Sequence, residues 1–418
     1  MTPDREATFT ARNRDGRAAI GLVLLALSFA SCNRAQTGCE PQLPNPSGTF
    51  AVGRLDGQHL TDSTRPDRFS PERTKHRELM VYVWYPAQQS NHPSFEAYVP
   101  EAKRIEASVC GRQRMREEFE AVWPMILSDQ LRSHVLANAT PAVRSGGFPV
   151  VLFSHGLGST TFAYTAQIED LISHGYVVIA IEHTDMATAV LFPDGQVRCF
   201  QTRTPGGGGN GMDAMMAAVK EEVQAGAEDI RFVMDNLVQR SISVPVPIDL
   251  KHVAAIGHSA GGTMVARACQ LDKRIEACIS EEGELSGVSA FADYSDHAVL
   301  TQPFLLMEIY KAPRDSELAR MRLTHEQWQA YLQKKRQQLE SCKGGSYDVL
   351  FSGPGTVHAS FSDEPLLGAP CESERSSVAL NNLLSIEKTI RAFLDKYLRK
   401  EAAPLLDQPG STPPNMTV

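Results

Sequence analysis

The chain has 418 residues, 42% hydrophobic and 22% charged, the balance of a globular protein with material for one large or two average domains. A formal net charge of −8 argues against nucleic acid as the main partner. Beyond the N-terminal stretch, no apolar run is long enough to span a bilayer.

Arg5, Arg12, Arg14 and Arg17 precede an apolar run over residues 18–30 that is too short to span a membrane but fits a signal-peptide core. Ser28-Phe29-Ala30 offers a cleavage site, and Phe29-Ala30-Ser31-Cys32 resembles a lipoprotein box in which Cys32 would be acylated. Residues 1–31 are therefore expected to be an export signal. The mature chain would be either secreted or periplasmic, or lipid-anchored through Cys32. Residues 32–46 are expected to be a flexible leader, 47–400 a single catalytic domain, and 401–418 a loose Pro-rich tail.

Within the domain, Leu79 to Tyr85 alternates and predicts an early strand. Residues 110–139 predict a helical region with Phe119, Val122, Trp123, Ile126 and Leu127 on one stripe, either core or a lipid-facing lid. Phe148 to Ser154 predicts a strand, Phe162 to Ser173 a helix, and Tyr176 to Glu182 a strand. The Gly-rich segment from Pro205 to Asn210 lacks the Lys-Ser/Thr partner of a phosphate loop, which leaves a rim beside the site. A long helix follows to about Gln239. Strands are expected at His252 to Ile256, Ala277 to Ser280, Phe304 to Tyr310 and Tyr347 to Ser352. The charged stretch from Arg314 to Leu339 is expected to be helical, and Val378 to Leu398 a closing helix. Alternating strands and helices predict an α/β class with a mostly parallel central sheet and helices on both faces.

Gly257-His258-Ser259-Ala260-Gly261 falls between a predicted strand and a predicted helix. A G-x-S-x-G at that junction is a nucleophile elbow, whose small residues permit a strained turn that lifts the serine hydroxyl clear of the sheet. A serine needs a base and an acid to orient that base. In chain order these are expected at Glu282, after the next strand, and at His358, after the last one. Glu281, Glu284 and Asp293 compete for the acid role, and alternation sends Glu281 and Glu282 to opposite sides. Two oxyanion donors are expected, the N–H of Ala260 and that of Leu157 in Ser154-His155-Gly156-Leu157-Gly158. His155 and His258 are read as orienting loops. His183 and Asp185 are a weak metal pair, and neither a metal nor another cofactor is expected. Export would permit disulfides. Cys342 with Cys371 is the first candidate pair and Cys110 with Cys199 the second, while Cys269 and Cys278 are expected to be free and buried.

Phe153 to Gly158, Ser173-His174-Gly175-Tyr176, Ile181-Glu182-His183, the elbow and Val357 to Phe361 together resemble the secreted platelet-activating factor acetylhydrolases and their bacterial relatives. The resemblance covers the chain from about Ser47 to the closing helix. It implies Ser259 as nucleophile, His358 as base, Leu157 as an oxyanion donor, and Glu282 where the family has Asp. It further implies calcium-independent hydrolysis of short or oxidised acyl groups from phospholipids, with peripheral contact to a lipid surface. Two other readings stand beside it: a broad small-ester carboxylesterase or polyester hydrolase, and a catalytically silent surface-binding lipoprotein.

Overall fold

Apolar β-branched runs that no helix period fits become strands, and the amphipathic segments between them become helices. The computed structural model describes residues 41–418 apart from 70–74, 201–210, 284–299, 310–314, 322–323, 371 and 409–415. The export signal, Cys32, most of the leader and the Gly-rich segment lie outside the described residues. The first part contains β1 (Ala51–Arg54), β2 (Gln58–Pro66), β3 (His76–Ala87) and β4 (Phe95–Ala97), then α1 (Ala102–Ala107), α2 (Val109–Glu118), α3 (Trp123–Leu127) and β5 (Arg132–Leu136). Alternation begins with β6 (Phe148–Ser154), α4 (Thr165–Ser173) and β7 (Val177–Glu182), followed by a hairpin of β8 (Ala189–Leu191) and β9 (Val197–Cys199). It continues through α5 (Gly211–Val238), β10 (Ile248–His258), α6 (Ala260–Leu271), β11 (Ala277–Glu281) and β12 (Phe304–Ile309). The remaining elements are α7 (Asp315–Met321), α8 (His325–Glu340), β13 (Ser346–Phe351), α9 (Glu364–Leu367), α10 (Glu374–Leu398), α11 (Pro404–Asp407) and β14 (Met416–Thr417).

The main sheet runs β14-β13-β12-β11-β10-β6-β7-β3-β1-β5-β4, with β2 paired to β3. From β13 to β7 every neighbouring pair is parallel, and β3 pairs antiparallel with β7, β1 and β2. Strand alternation splits the core. Val151, Phe153, Ala254 and Ile256 face one cluster with Ile168 of α4 and Ile390 of α10, whereas Val150, Leu152, Val253 and Ala255 face another with Ile230 of α5 and Val265 of α6. Both faces of the central strands are therefore buried, which is why they read as unbroken apolar runs.

Three expectations need correcting. The tail is anchored rather than loose: Leu405, Leu406 and Met416 are buried, and β14 pairs with β13. Cys269 and Cys278 are not free. They form a disulfide with a Cα–Cα separation of 6.7 Å, because α6 packs back across β11 and brings the end of the helix over the start of the strand. The expected Cys342–Cys371 bridge is not formed. Cys342 is a free, buried thiol at the end of α8, where Sγ donates to the Gln338 carbonyl, and Cys371 lies outside the described residues. A Cys110–Cys199 disulfide ties α2 to the β8–β9 hairpin. The stripe around Trp123 is core: Phe119, Val122, Trp123 and Ile126 are all buried. No described helix is long and apolar enough to cross a membrane.

Glu387 of α10 is buried, and its Oε1 makes no hydrogen bond. Burial first, then the nearby Asp170 carboxylate, pushes its pKa up to about 9. The folded state therefore holds this proton more tightly than the unfolded chain does, and the associated stability is lost as pH rises from near 4.5 through about 9. Glu387→Gln should melt roughly 2–4 °C above the parent at pH 9 for each kcal/mol recovered, and close to it at pH 5. Thermal melts at both pH values check this.

Candidate active site

Ser259 follows β10 and caps α6 with φ 55° and ψ −124°, a positive-φ conformation that costs a non-glycine residue on the order of 1–3 kcal/mol. Close packing holds it there. A Cβ on Gly257 would lie 2.3 Å from the Gly261 carbonyl oxygen, and one on Gly261 would lie 2.3 Å from the Ser154 carbonyl oxygen. The elbow can therefore form only if both positions lack side chains. The Ser259 N–H donates to the Glu281 carbonyl (2.7 Å), which anchors the turn to the neighbouring strand. Thr263 Oγ1 donates to the Gly283 carbonyl and ties α6 to the same loop.

Glu282 follows the last residue of β11 and also has a positive φ, 49°. Its N–H donates to the Met307 carbonyl (2.7 Å), and its Oε1 accepts from the Ile309 N–H (2.5 Å). The second oxygen, Oε2, lies 3.3 Å from His358 Nδ1. The longer arm of Glu is accommodated by fixing one oxygen on the backbone of β12. Glu281 points the other way, into the core: it is fully buried, accepts from Gln167 Nε2 (2.6 Å), and burial raises its pKa well above the usual carboxylate range. Glu284 and Asp293 lie outside the described residues.

His358 begins a 3₁₀ turn after β13, and its side chain is 49% exposed. With Nδ1 facing Glu282, the second ring nitrogen, Nε2, is not engaged by that carboxylate. The His358 carbonyl faces inward and accepts from His258 Nε2 (3.0 Å), and the two imidazole rings lie 4.6 Å apart.

After β6, a Cβ on Gly156 would sit 3.4 Å from Ser259 Cβ, so this loop lies against the serine. The Gly156 carbonyl accepts from His155 Nδ1 (2.7 Å), and the Gly156 N–H donates to Tyr164 Oη (3.1 Å). The carbonyl and the next N–H point in opposite directions across a trans peptide, so the Leu157 N–H faces away from His155. Ala260 opens α6, where N–H groups lack intrahelical partners and the helix end favours negative charge. His155 Nε2 accepts from the His183 N–H (3.2 Å). Both ring nitrogens of His183 are engaged, Nδ1 with Asp229 (3.0 Å) and Nε2 with Ser154 Oγ (2.8 Å), and burial lowers its pKa to about 4. Asp185 is paired with Arg198. His183 and Asp185 thus belong to a buried polar network.

Comparisons with known proteins bear on the fold and on the family the chain resembles. The family described as platelet-activating factor acetylhydrolase, isoform II, matches residues 36–196. A platelet-activating factor acetylhydrolase from Canis lupus familiaris is 25% identical over 270 residues, 58% of this chain and 55% of that protein. A probable 1-alkyl-2-acetylglycerophosphocholine esterase from Arthroderma benhamiae is 26% identical over 254 residues, 59% of each protein. Over residues 36–196 the chain is thus similar to the platelet-activating factor acetylhydrolases, and its fold is that of the α/β-hydrolases. It spans little more than half the length of these two relatives. A solved ferulic acid esterase from Streptomyces cinnamoneus superposes with a TM-score of 0.64 at 26% identity, over 91% of this chain and 99% of that one.

Sequence reading did not single out Tyr164, the Ile309 N–H or the two bonds of His258. Tyr164 looks like one more apolar residue of a helix, and a backbone donor on a distant strand leaves no sequence signal. Gly261→Ala should cost about 1–3 kcal/mol or more, because the Ser154 carbonyl is backbone and cannot move aside alone. A lowered thermal midpoint in purified protein checks this.

Proposed function

We propose that the chain is a serine-dependent carboxylic ester hydrolase that works without a metal or other cofactor. The observation that carries this reading is the Glu282–His358 contact of 3.3 Å at the sheet edge where the elbow holds Ser259 in its strained turn. His358 takes the proton from Ser259 Oγ as it attacks the ester carbonyl, while Glu282 orients the imidazole and balances its positive charge. The N–H groups of Leu157 and Ala260 receive the developing oxyanion, a contribution of about 3–4 kcal/mol per donor in a dry site. His358 then returns the proton to the leaving alcohol, and water attacks the acyl-enzyme with the same groups in reverse order.

We take the substrates to be short acyl esters, and an sn-2 acetyl or short oxidised acyl group of a phospholipid in particular, following the names of the curated relatives. Peripheral contact with a lipid surface goes with that reading. A small aryl ester is the second reading, favoured by the ferulic acid esterase, whose whole chain is matched. Residues 1–31 are read as an export signal, and two disulfides among the described residues support an oxidising destination.

With chelator present, the protein should release acetate from a phospholipid carrying sn-2 acetyl and little from its long-chain counterpart, and Ser259→Ala should abolish that release. Turnover of para-nitrophenyl acetate or methyl ferulate alone would move the substrate to small esters, and no turnover at all would favour a silent binding protein. Glu282→Gln keeps an oxygen for the Ile309 N–H but removes the charge. It should lower kcat on the order of 10³–10⁴-fold, with the thermal midpoint nearly unchanged.

A further inference from the structure

His258 is the variable residue of the elbow, and its side chain lies between the three segments that any ester hydrolysis here must keep in register. Its Nε2 is 3.0 Å from the His358 carbonyl oxygen, and its Nδ1 is 2.8 Å from Tyr164 Oη. A carbonyl can only accept, so Nε2 carries the proton. Burial, and then the neighbouring His358, hold the His258 pKa well below its usual value, so the ring is neutral and Nδ1 is a bare acceptor. The Tyr164 hydroxyl must then donate to Nδ1, which leaves its oxygen to accept the Gly156 N–H at 3.1 Å. The direction of every bond is fixed: Gly156 N–H to Tyr164, Tyr164 O–H to His258, His258 N–H to the His358 carbonyl.

We infer that Tyr164 and His258 are positioning residues, a one-way hydrogen-bond chain that sets the oxyanion loop and the His358 loop relative to Ser259. The inference rests on the esterase reading for its catalytic consequence, but the chain itself can be measured without turnover. Neither side chain takes a proton from the substrate. Their effect passes through two backbone groups. With the Gly156 carbonyl held by His155 and its N–H by Tyr164, the peptide that carries the Leu157 N–H cannot rotate away from the serine. With its own carbonyl held by His258, His358 keeps its ring at the height of Glu282. Tyr164 is itself wedged against Phe153 of β6, with ring centroids 5.0 Å apart, so the chain is braced on the sheet.

Such a chain stabilises the transition state more than the bound substrate, because the oxyanion forms only after attack. Tyr164→Phe keeps the ring and deletes the chain. It should lower kcat for para-nitrophenyl acetate about 10–100-fold while leaving KM within about twofold. The second readout is the ¹⁵N spectrum of histidine-labelled full-length protein at neutral pH. There His258 should appear with Nε2 protonated and Nδ1 bare, and its Nδ1 resonance should shift in Tyr164→Phe. A His258 ring that is cationic or protonated at Nδ1 would overturn the chain, even in a protein that hydrolyses nothing. The expected tautomer with unchanged kcat in Tyr164→Phe, or with a rise in KM alone, would overturn its positioning role. A wild-type protein without Ser259-dependent turnover would instead sink the esterase reading, and the spectrum would still decide the chain.

Discussion

Everything at the sheet edge depends on a close backbone contact, that of Gly261 with the ends of β6. The elbow brings α6 so near that a single Cβ would collide with the Ser154 and His155 carbonyls. This contact holds Ser259 in a conformation it would otherwise leave, and it fixes the distance between the serine and the Gly156 loop. The local strain is offset by burial of α6 between the sheet and α5, and by the hydrogen bonds that leave the turn on both sides. A disulfide from α6 to β11 adds a covalent tie between the nucleophile's helix and the strand that leads to Glu282.

The acid and the base reach the same edge by different devices. Glu282 depends on a break in the strand: its positive φ ends β11, and the Ile309 N–H then holds its carboxylate in place. His358 depends on a short 3₁₀ turn whose start is closed on itself, the Ser360 N–H donating to the Val357 carbonyl and the Val357 N–H to Ser360 Oγ. Its ring remains half exposed, as expected for a group that must meet water and a leaving alcohol. Beneath these groups lie two sets of paired polar residues: His155, His183, Ser154 and Asp229 form a buried chain, and His258 and Tyr164 form another. Buried polar groups need such partners, and those partners also fix ring tautomers and peptide planes.

The central strands and the elbow were legible in the sequence because burial on both faces leaves unbroken apolar runs, and because the G-x-S-x-G falls where such a run meets a helical segment. The edges were harder to read. β2 is largely polar and β14 has two residues, so neither carries a periodic signal, and the Pro-rich tail gave no hint that Met416 packs into the core. Alternation separated Glu281 from Glu282 but did not say which faced the base, since the strand ends between them. The Cys110–Cys199 pair was among the candidates and is formed, but the other two readings failed because spacing along the chain does not reveal which helix end lies over which strand. Cys269 and Cys278 were close in sequence and separated by a turn of the fold, whereas Cys342 faces the core.

The most direct test of the account is a crystal structure of the protein after reaction with a para-nitrophenyl alkylphosphonate, whose adduct mimics the tetrahedral intermediate. The account predicts phosphorus bonded to Ser259 Oγ, with one phosphonyl oxygen within hydrogen-bond distance of both the Leu157 and Ala260 N–H groups. An adduct on another residue, or a Ser259 adduct whose oxygen turns away from those two N–H groups, would contradict it.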